Sequence, residues 1–213
     1  KEADGGIFLF STIFTMLAGL IGLLVGRKAE SRMGEREGYV IVAMVWVVFS
    51  FFGMLPYYFS GQVPTLTDAW FESMSGFTTT GATIIPDLDV ITHGLLFWRA
   101  ITQWIGGMGI IVLSIAILPI FGLNGMQLYA AEVSGLTYEK LSPRIADTAK
   151  MMWSTYLILT TIEVLGLWLC GMPLFDAVCH SFSTIATGGF STKNTSLAFY
   201  DSAAIQIGRA SCR

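Results

Sequence analysis

Residues 75–83 read SGFTTTGAT, a run of hydroxyls with one glycine between apolar stretches long enough to need a membrane. Such a run can neither span lipid nor pack as an ordinary core, because an unpaired peptide group in hydrocarbon costs several kcal/mol. It also recurs. Aligning Asp68 with Asp176 lays DAWFESMSGFTTTGAT over DAVCHSFSTIATGGFS. The alignment matches the Asp-Ala pair, Ser73 with Ser181, Ser75 with Ser183, Thr79 with Thr187 and Gly81 with Gly189. These identities fall on residue types with special backbone or hydrogen-bonding behaviour, so the chain contains an internal repeat of about 108 residues.

Composition says where the repeat sits. Of 213 residues, 54% are hydrophobic and 13% charged, with a mean hydropathy of +0.65. A soluble domain carries about a quarter charged residues, so this is a membrane protein, and its several stretches of helix-spanning length make the expected fold all-α and polytopic. A net charge of -3, with charges confined to short stretches, excludes a nucleic-acid partner. Cys170, Cys179 and Cys212 fall in no CxxC spacing, so neither a disulfide framework nor a metal site is expected. The chain opens on Lys1 without a signal-peptide pattern and reads as a piece cut at both ends. Its last residues, IGRASCR at 207–213, read as an adapter-derived tail and are set aside.

Four stretches, 6–26, 39–60, 95–121 and 151–171, can each cross about 30 Å of hydrocarbon. Two shorter ones, 68–77 and 175–185, reach only about 15 Å at 1.5 Å per residue. Lys and Arg mark cytoplasmic loops. Arg27, Lys28, Arg32 and Arg36 mark the first, and Lys140, Arg144 and Lys150 mark the one between the third and fourth spans. Residues 61–94 carry no basic residue and 172–201 only Lys193, so those loops face the periplasm or exterior.

Each repeat therefore reads as a span, an Asp suited to cap a helix, a half-length helix, a Thr/Gly stretch and a return span. Irregular backbone at membrane depth must be buried in protein or line a wet path. An even number of spans separates the copies, so both hairpins enter from the outer face and are related by an axis along the membrane normal. Each half-helix aims the negative end of its dipole at the bilayer centre, which favours a cation. Beyond it, TTTG and ATGG can turn backbone carbonyls toward that axis.

FESMSGFTTTGAT, FWRAITQWIGGMGI and HSFSTIATGGFST resemble the first two pore regions, and the helix between them, of the Trk/Ktr/HKT potassium transporters. The resemblance covers nearly the whole chain. It implies four span-hairpin-span units around one pore, of which two are present, preceded by an extra span. It makes Thr79, Thr80, Gly81 and Ala82 the first filter strand and Thr187, Gly188, Gly189 and Phe190 the second, with Thr78 and Ala186 at the inner edge. K+, the transported ion, would be held by the main-chain oxygens of Thr79, Thr80, Gly81, Thr187, Gly188 and Gly189. In that family a central glycine accompanies potassium selectivity and a serine in the first strand accompanies sodium permeation; both glycines are present here.

The implied organisation is an extra span and cytoplasmic loop (1–36), a first repeat (37–121), a cytoplasmic loop (122–148) and a second repeat truncated before its last span (149–206). The implied activity is potassium uptake across the bacterial inner membrane, with coupling to H+ or Na+ left open. No cofactor is expected in this chain. Beyond membrane lipid, the resemblance implies a second copy of the full-length subunit and a cytoplasmic nucleotide-binding regulatory subunit as partners. A sodium or non-selective cation transporter is the alternative, and an intramembrane enzyme a remote one, since no Ser has a GxSxG context and neither His is placed as a base. A substrate transporter with broken helices usually shows inverted repeats.

Other residues remain open. Arg99, near the outer end of the third span, needs a partner or the interface; Glu72 is a candidate partner and structural support, and a solvated Arg99 the alternative. IGGMG at 105–109 reads as a packing notch rather than a hinge. His180 matches Glu72 in the repeat and reads as a packing and hydrogen-bonding residue, because no second ligand stands at helical spacing. His93 reads as solvated, with Asp87 and Asp89 able to concentrate cations at an outer mouth. Glu163, mid-span, either makes a structural hydrogen bond or meets an aqueous path.

Overall fold

In the computed structural model, which describes residues 3–27, 35–117 and 141–200, every regular element is a helix. The first, α1, runs Ala3–Gly26 and is apolar around most of its circumference, with Leu9, Met16, Ile21 and Leu23 exposed. A helix apolar all round suits lipid better than water. The next stretch was expected to be one helix over 39–60. It is instead α2 (Glu35–Gly53) and a short α3 (Leu55–Phe59), interrupted at Met54. Pro56, at the start of α3, has no N–H to donate into the preceding turn, so the ladder breaks there.

The two half-length helices form as expected: α4 is Leu66–Phe77 and α7 is Leu174–Ile185, 12 residues each. Each reaches about 18 Å, short of a bilayer. Neither is capped by its Asp. Thr65 is the N-cap of α4, its hydroxyl accepting the Asp68 amide at 3.1 Å, and Pro173 occupies the N-cap of α7. Asp68 and Asp176 sit in the first turns instead, where the positive end of the dipole favours a carboxylate.

Between the half-helices run α5 (His93–Ile117) and α6 (Leu141–Leu169); a 3-10 turn, Ser196–Phe199, ends the described chain. Helix α6 begins inside the stretch expected to be cytoplasmic loop. Residues 118–140, which include Lys140 and the end of the expected third span, lie outside the described residues, as do Lys28, Arg32, Cys212 and the 207–213 tail. Helix α5 touches both half-helices and α6 as well, so it is the element around which the two repeats meet. Buried Tyr57, Ala69, Leu88, Ile91, Leu95 and Leu96 knit α3, α4, the 78–92 segment and the start of α5. Helix α1 joins this unit through aromatic edges, Phe10 on Phe59 at 5.2 Å and Phe8 on Trp98 at 5.8 Å.

Candidate functional site

The two half-helices end in the same way. After α4 the Thr79 amide donates to the Gly76 carbonyl at 3.0 Å and the Thr80 amide to the Ser75 carbonyl at 3.0 Å. After α7, Thr187 donates to Thr184 and Gly188 to Ser183, both at 2.8 Å. This pairing of bonds is a Schellman cap, whose left-handed position is normally glycine. Here it is threonine twice, with φ 55° at Thr79 and 54° at Thr187. A β-branched residue in that region is strained by about 1–3 kcal/mol and persists only where its surroundings enforce it. Two residues on, Gly81 and Gly189 again have positive φ, 76° and 87°. The repeat read from residue identities is thus also a repeat of backbone conformation.

The two Thr/Gly segments meet. A Cβ on Gly81 would fall on the Gly188 carbonyl oxygen, and one on Gly188 would fall on the Gln103 side chain. Side chains fix the first segment from behind. The Ser75 hydroxyl donates to the Ala82 carbonyl at 2.6 Å, and the hydroxyls of Thr78 and Thr80 bond each other at 2.8 Å. Thr80, Ala82, Thr187 and Gly189 remain exposed, while Ala186 and Phe190 are buried.

Helix α5 reaches both segments through a polar face that sequence reading saw only in part. Arg99, Thr102 and Gln103 stand at helical spacing and all three are buried. Arg99 is paired with Glu72, Nε to Oε1 at 2.8 Å, which decides between the two expectations for it. Glu72, 0% exposed, also accepts from the Thr83 hydroxyl at 2.9 Å and the Ile84 amide at 3.1 Å. Removing one partner of such a buried pair costs about 3–5 kcal/mol. Gln103 accepts the Phe190 amide at 3.3 Å. Gln103, Thr83 and Ser191 were missed as supports; an i, i+4 pair of long polar residues in an otherwise apolar span is the signal that would have found the first.

IGGMG is a packing notch, as read. A Cβ on Gly106 would fall on the Phe77 carbonyl at the end of α4, and one on Gly107 would come within 3.0 Å of Ala186 at the end of α7. The wedge therefore presses on both half-helix ends at once. His180 is buried with its Nε2 3.5 Å from the Thr192 hydroxyl, in the place where Glu72 holds the first segment. Glu163 is 9% exposed within α6. His93 opens α5 with its ring tilted against that of Phe175, the centroids 4.9 Å apart.

In the loops between the helices Asp87 and Asp89 are part of a clamp. The Asn194 amide nitrogen donates to Asp87 at 2.7 Å and Asp89 at 3.2 Å, while its oxygen accepts the Leu88 amide at 2.7 Å. The Asn194 bond first, and the Asp89 amide second, hold the Asp87 carboxyl below its usual range. A depressed carboxylate pKa stabilises the folded loop above the unfolded value, about 3.9, and that contribution disappears as pH falls through the lower folded value. Hydrogen-exchange protection of the Leu88 amide should accordingly fall at acid pH below that of ordinary aspartates, and Asp87→Asn should remove the acid step. An identical step in the variant would assign it to another group.

Duplicated half-helices wedged by one long helix, with apolar faces turned outward, define a helical membrane protein built by internal repetition. The chain belongs to the TrkH family, described as cation transport proteins, whose profile matches residues 7–211. It is 52% identical over 207 residues to the Trk system potassium uptake protein TrkH of Salmonella typhimurium strain LT2, covering 96% of this chain and 43% of that one. It is 36% identical over 209 residues to the Trk system potassium uptake protein TrkG of Escherichia coli strain K12, covering 97% and 43%. The crystal structure of the potassium transporter TrkH from Vibrio parahaemolyticus superposes with a TM-score of 0.85 at 40% identity, covering 100% of this chain and 42% of that chain. The chain thus spans less than half the length of these relatives.

Proposed function

We propose that the chain forms two quarters of the potassium-selective pore of a Trk-type uptake subunit. The observation that carries this reading is the pair of half-helices, each followed by left-handed Thr and Gly residues, meeting at Gly81 and Gly188. Between the positive-φ residues, Thr80 and Gly188 lie outside that region. Such alternation sets N–H groups on one side of a strand and carbonyls on the other. The carbonyls of Thr79, Thr80, Gly81, Thr187, Gly188 and Gly189 then replace part of a cation's water shell, helped by the negative ends of two half-helix dipoles.

Two segments enclose an ion from only part of its surroundings. The exposed side of the Thr/Gly segments and the greater length of the relatives support two further repeats completing the ring. On this reading the complete subunit lies in the bacterial inner membrane with its pore mouth outward, works as a dimer under a cytoplasmic nucleotide-binding subunit, and moves K+ without covalent chemistry. Central glycines in both segments favour K+ over Na+.

Thr80→Val tests whether carbonyls or hydroxyls are the ligands. The Thr80 hydroxyl is engaged with Thr78, and losing one such bond costs about 0.5–1.5 kcal/mol of stability. In the complete transporter this variant should keep most of its rubidium uptake, normalised to membrane expression. A variant that assembles normally and transports nothing would make the hydroxyls the ligands and remove the carbonyl reading.

A further inference from the structure

Arg99 belongs to neither Thr/Gly segment, yet it holds both. Its Nε bonds Glu72 at 2.8 Å and its Nη2 the Thr83 hydroxyl at 3.2 Å, both in the first repeat. Its Nη1 donates to the Ser191 carbonyl at 3.3 Å, and its guanidinium lies 4.2 Å from the centroid of the Phe190 ring, both in the second. Thr83 and Ser191 are equivalent in the repeat alignment, so one planar cation grips the same position in both copies. One turn along α5, Gln103 adds the Phe190 amide. The notch at Gly106 and Gly107 already packs α5 against the half-helices, so this polar grip is aimed at the segments themselves.

We propose that Arg99 is a selectivity-determining positioning residue, a clamp that fixes the spacing between the outer ends of the first two filter strands. The proposal rests on the pore reading above. Discrimination between K+ and Na+ depends on how many carbonyls face the ion and how far they can follow a smaller one inward. Strands tied to a common rigid fork cannot close independently. Lysine offers a mobile point charge in place of that fork, so it keeps the charge and loses the geometry. Glu72 acts through charge instead, neutralising a permanent positive charge that would otherwise repel cations from the path. Clamp geometry and charge balance are therefore separable by experiment.

The test uses the complete transporter in liposomes, reading rubidium uptake against sodium competition. Arg99→Lys should lower the rubidium-to-sodium ratio about tenfold while uptake stays measurable, the scale of coupling within one hydrogen-bond network. Glu72→Gln should slow uptake of both ions together and change their ratio less than Arg99→Lys does. The double variant Glu72→Gln/Arg99→Met removes both charges, which spares a buried uncompensated ion, and should lower the ratio as Arg99→Lys does. If Arg99→Lys does not assemble, the double variant decides; if neither assembles, Thr83→Val, which removes the hydroxyl joining Nη2 to Glu72, decides by the same ratio. Gly81→Ser is the reference for the pore reading. An unchanged ratio in the deciding Arg99 or Thr83 variant, with a collapsed one in Gly81→Ser, overturns the clamp and leaves the pore. An unchanged ratio in Gly81→Ser as well would remove the pore reading with it.

Discussion

Gly81→Ala should abolish selective rubidium uptake by the complete transporter, although it alters no polar group. Its added methyl would fall on the Gly188 carbonyl oxygen and 3.1 Å from the carbonyl carbon, so the obstacle is backbone rather than a side chain that can rotate away. Gly188 cannot simply retreat, since its amide is bonded to Ser183 at 2.8 Å and Gln103 packs on its other side. The φ of 76° adds a second penalty of about 1–2 kcal/mol for any L side chain. Overpacking contributes about 1–3 kcal/mol more. Relief requires the two segments to move apart, which displaces the carbonyls proposed to face the ion. At about 1.4 kcal/mol per tenfold, uptake per folded copy should fall about a hundredfold or more. Rubidium uptake normalised to membrane expression measures it, and near-normal uptake would show that the Gly81 backbone is not part of the path.

Gly106→Ala should be the more damaging of the two substitutions in the α5 notch, and its effect should be on assembly. The Cβ would fall on the Phe77 carbonyl and lie 2.7 Å from its carbon and 3.0 Å from its Cα, so α5 would have to move bodily off the end of α4. That displacement would carry Arg99 and Gln103 away from the segments they hold. Gly107→Ala meets the Tyr156 hydroxyl at 2.9 Å and Ala186 at 3.0 Å, contacts that shifts of a few tenths of an ångström relieve. Gly109 faces only the Trp46 ring, at 3.7 Å. We expect Gly106→Ala to lose the monodisperse detergent-solubilised protein, or to lower its melting temperature well beyond the shift seen for Gly107→Ala. Equal shifts would mean that α5 is not wedged against α4. Because Gly107 adjoins Ala186 at the base of the second segment, Gly107→Ser should also disturb that segment, more mildly than Gly81→Ser disturbs the first.

Much of this architecture is legible along the chain, because its signals are local. Hydropathy over about 20 residues marks spans, and the lengths of 68–77 and 175–185 mark helices too short to cross. The repeated glycines foretell the positive φ of Gly81 and Gly189, while the left-handed Thr79 and Thr187 appear only in the structure. Two local signals were present and weighed too little. Pro56 breaks the second span, and Thr65, three residues before Asp68, is the better-placed cap.

What only the tertiary structure decides is which side chains complete the site. Arg99 meets Ser191 across 92 residues of sequence, and Asn194 meets Asp87 across 107. Periodicity can place Arg99 and Gln103 on one face of α5, but which segments that face meets depends on how closely α5 approaches the half-helix ends. The bare backbone of Gly106 and Gly107 against Phe77 and Ala186 sets that approach. The sequence by itself determined the elements and the glycines that admit left-handed backbone between them, since propensity acts within a few residues, whereas the left-handed Thr79 and Thr187 are held by the packing around them. The partners of buried charges were decided by helix packing, because a buried guanidinium must take whichever acceptors the neighbouring elements bring within reach.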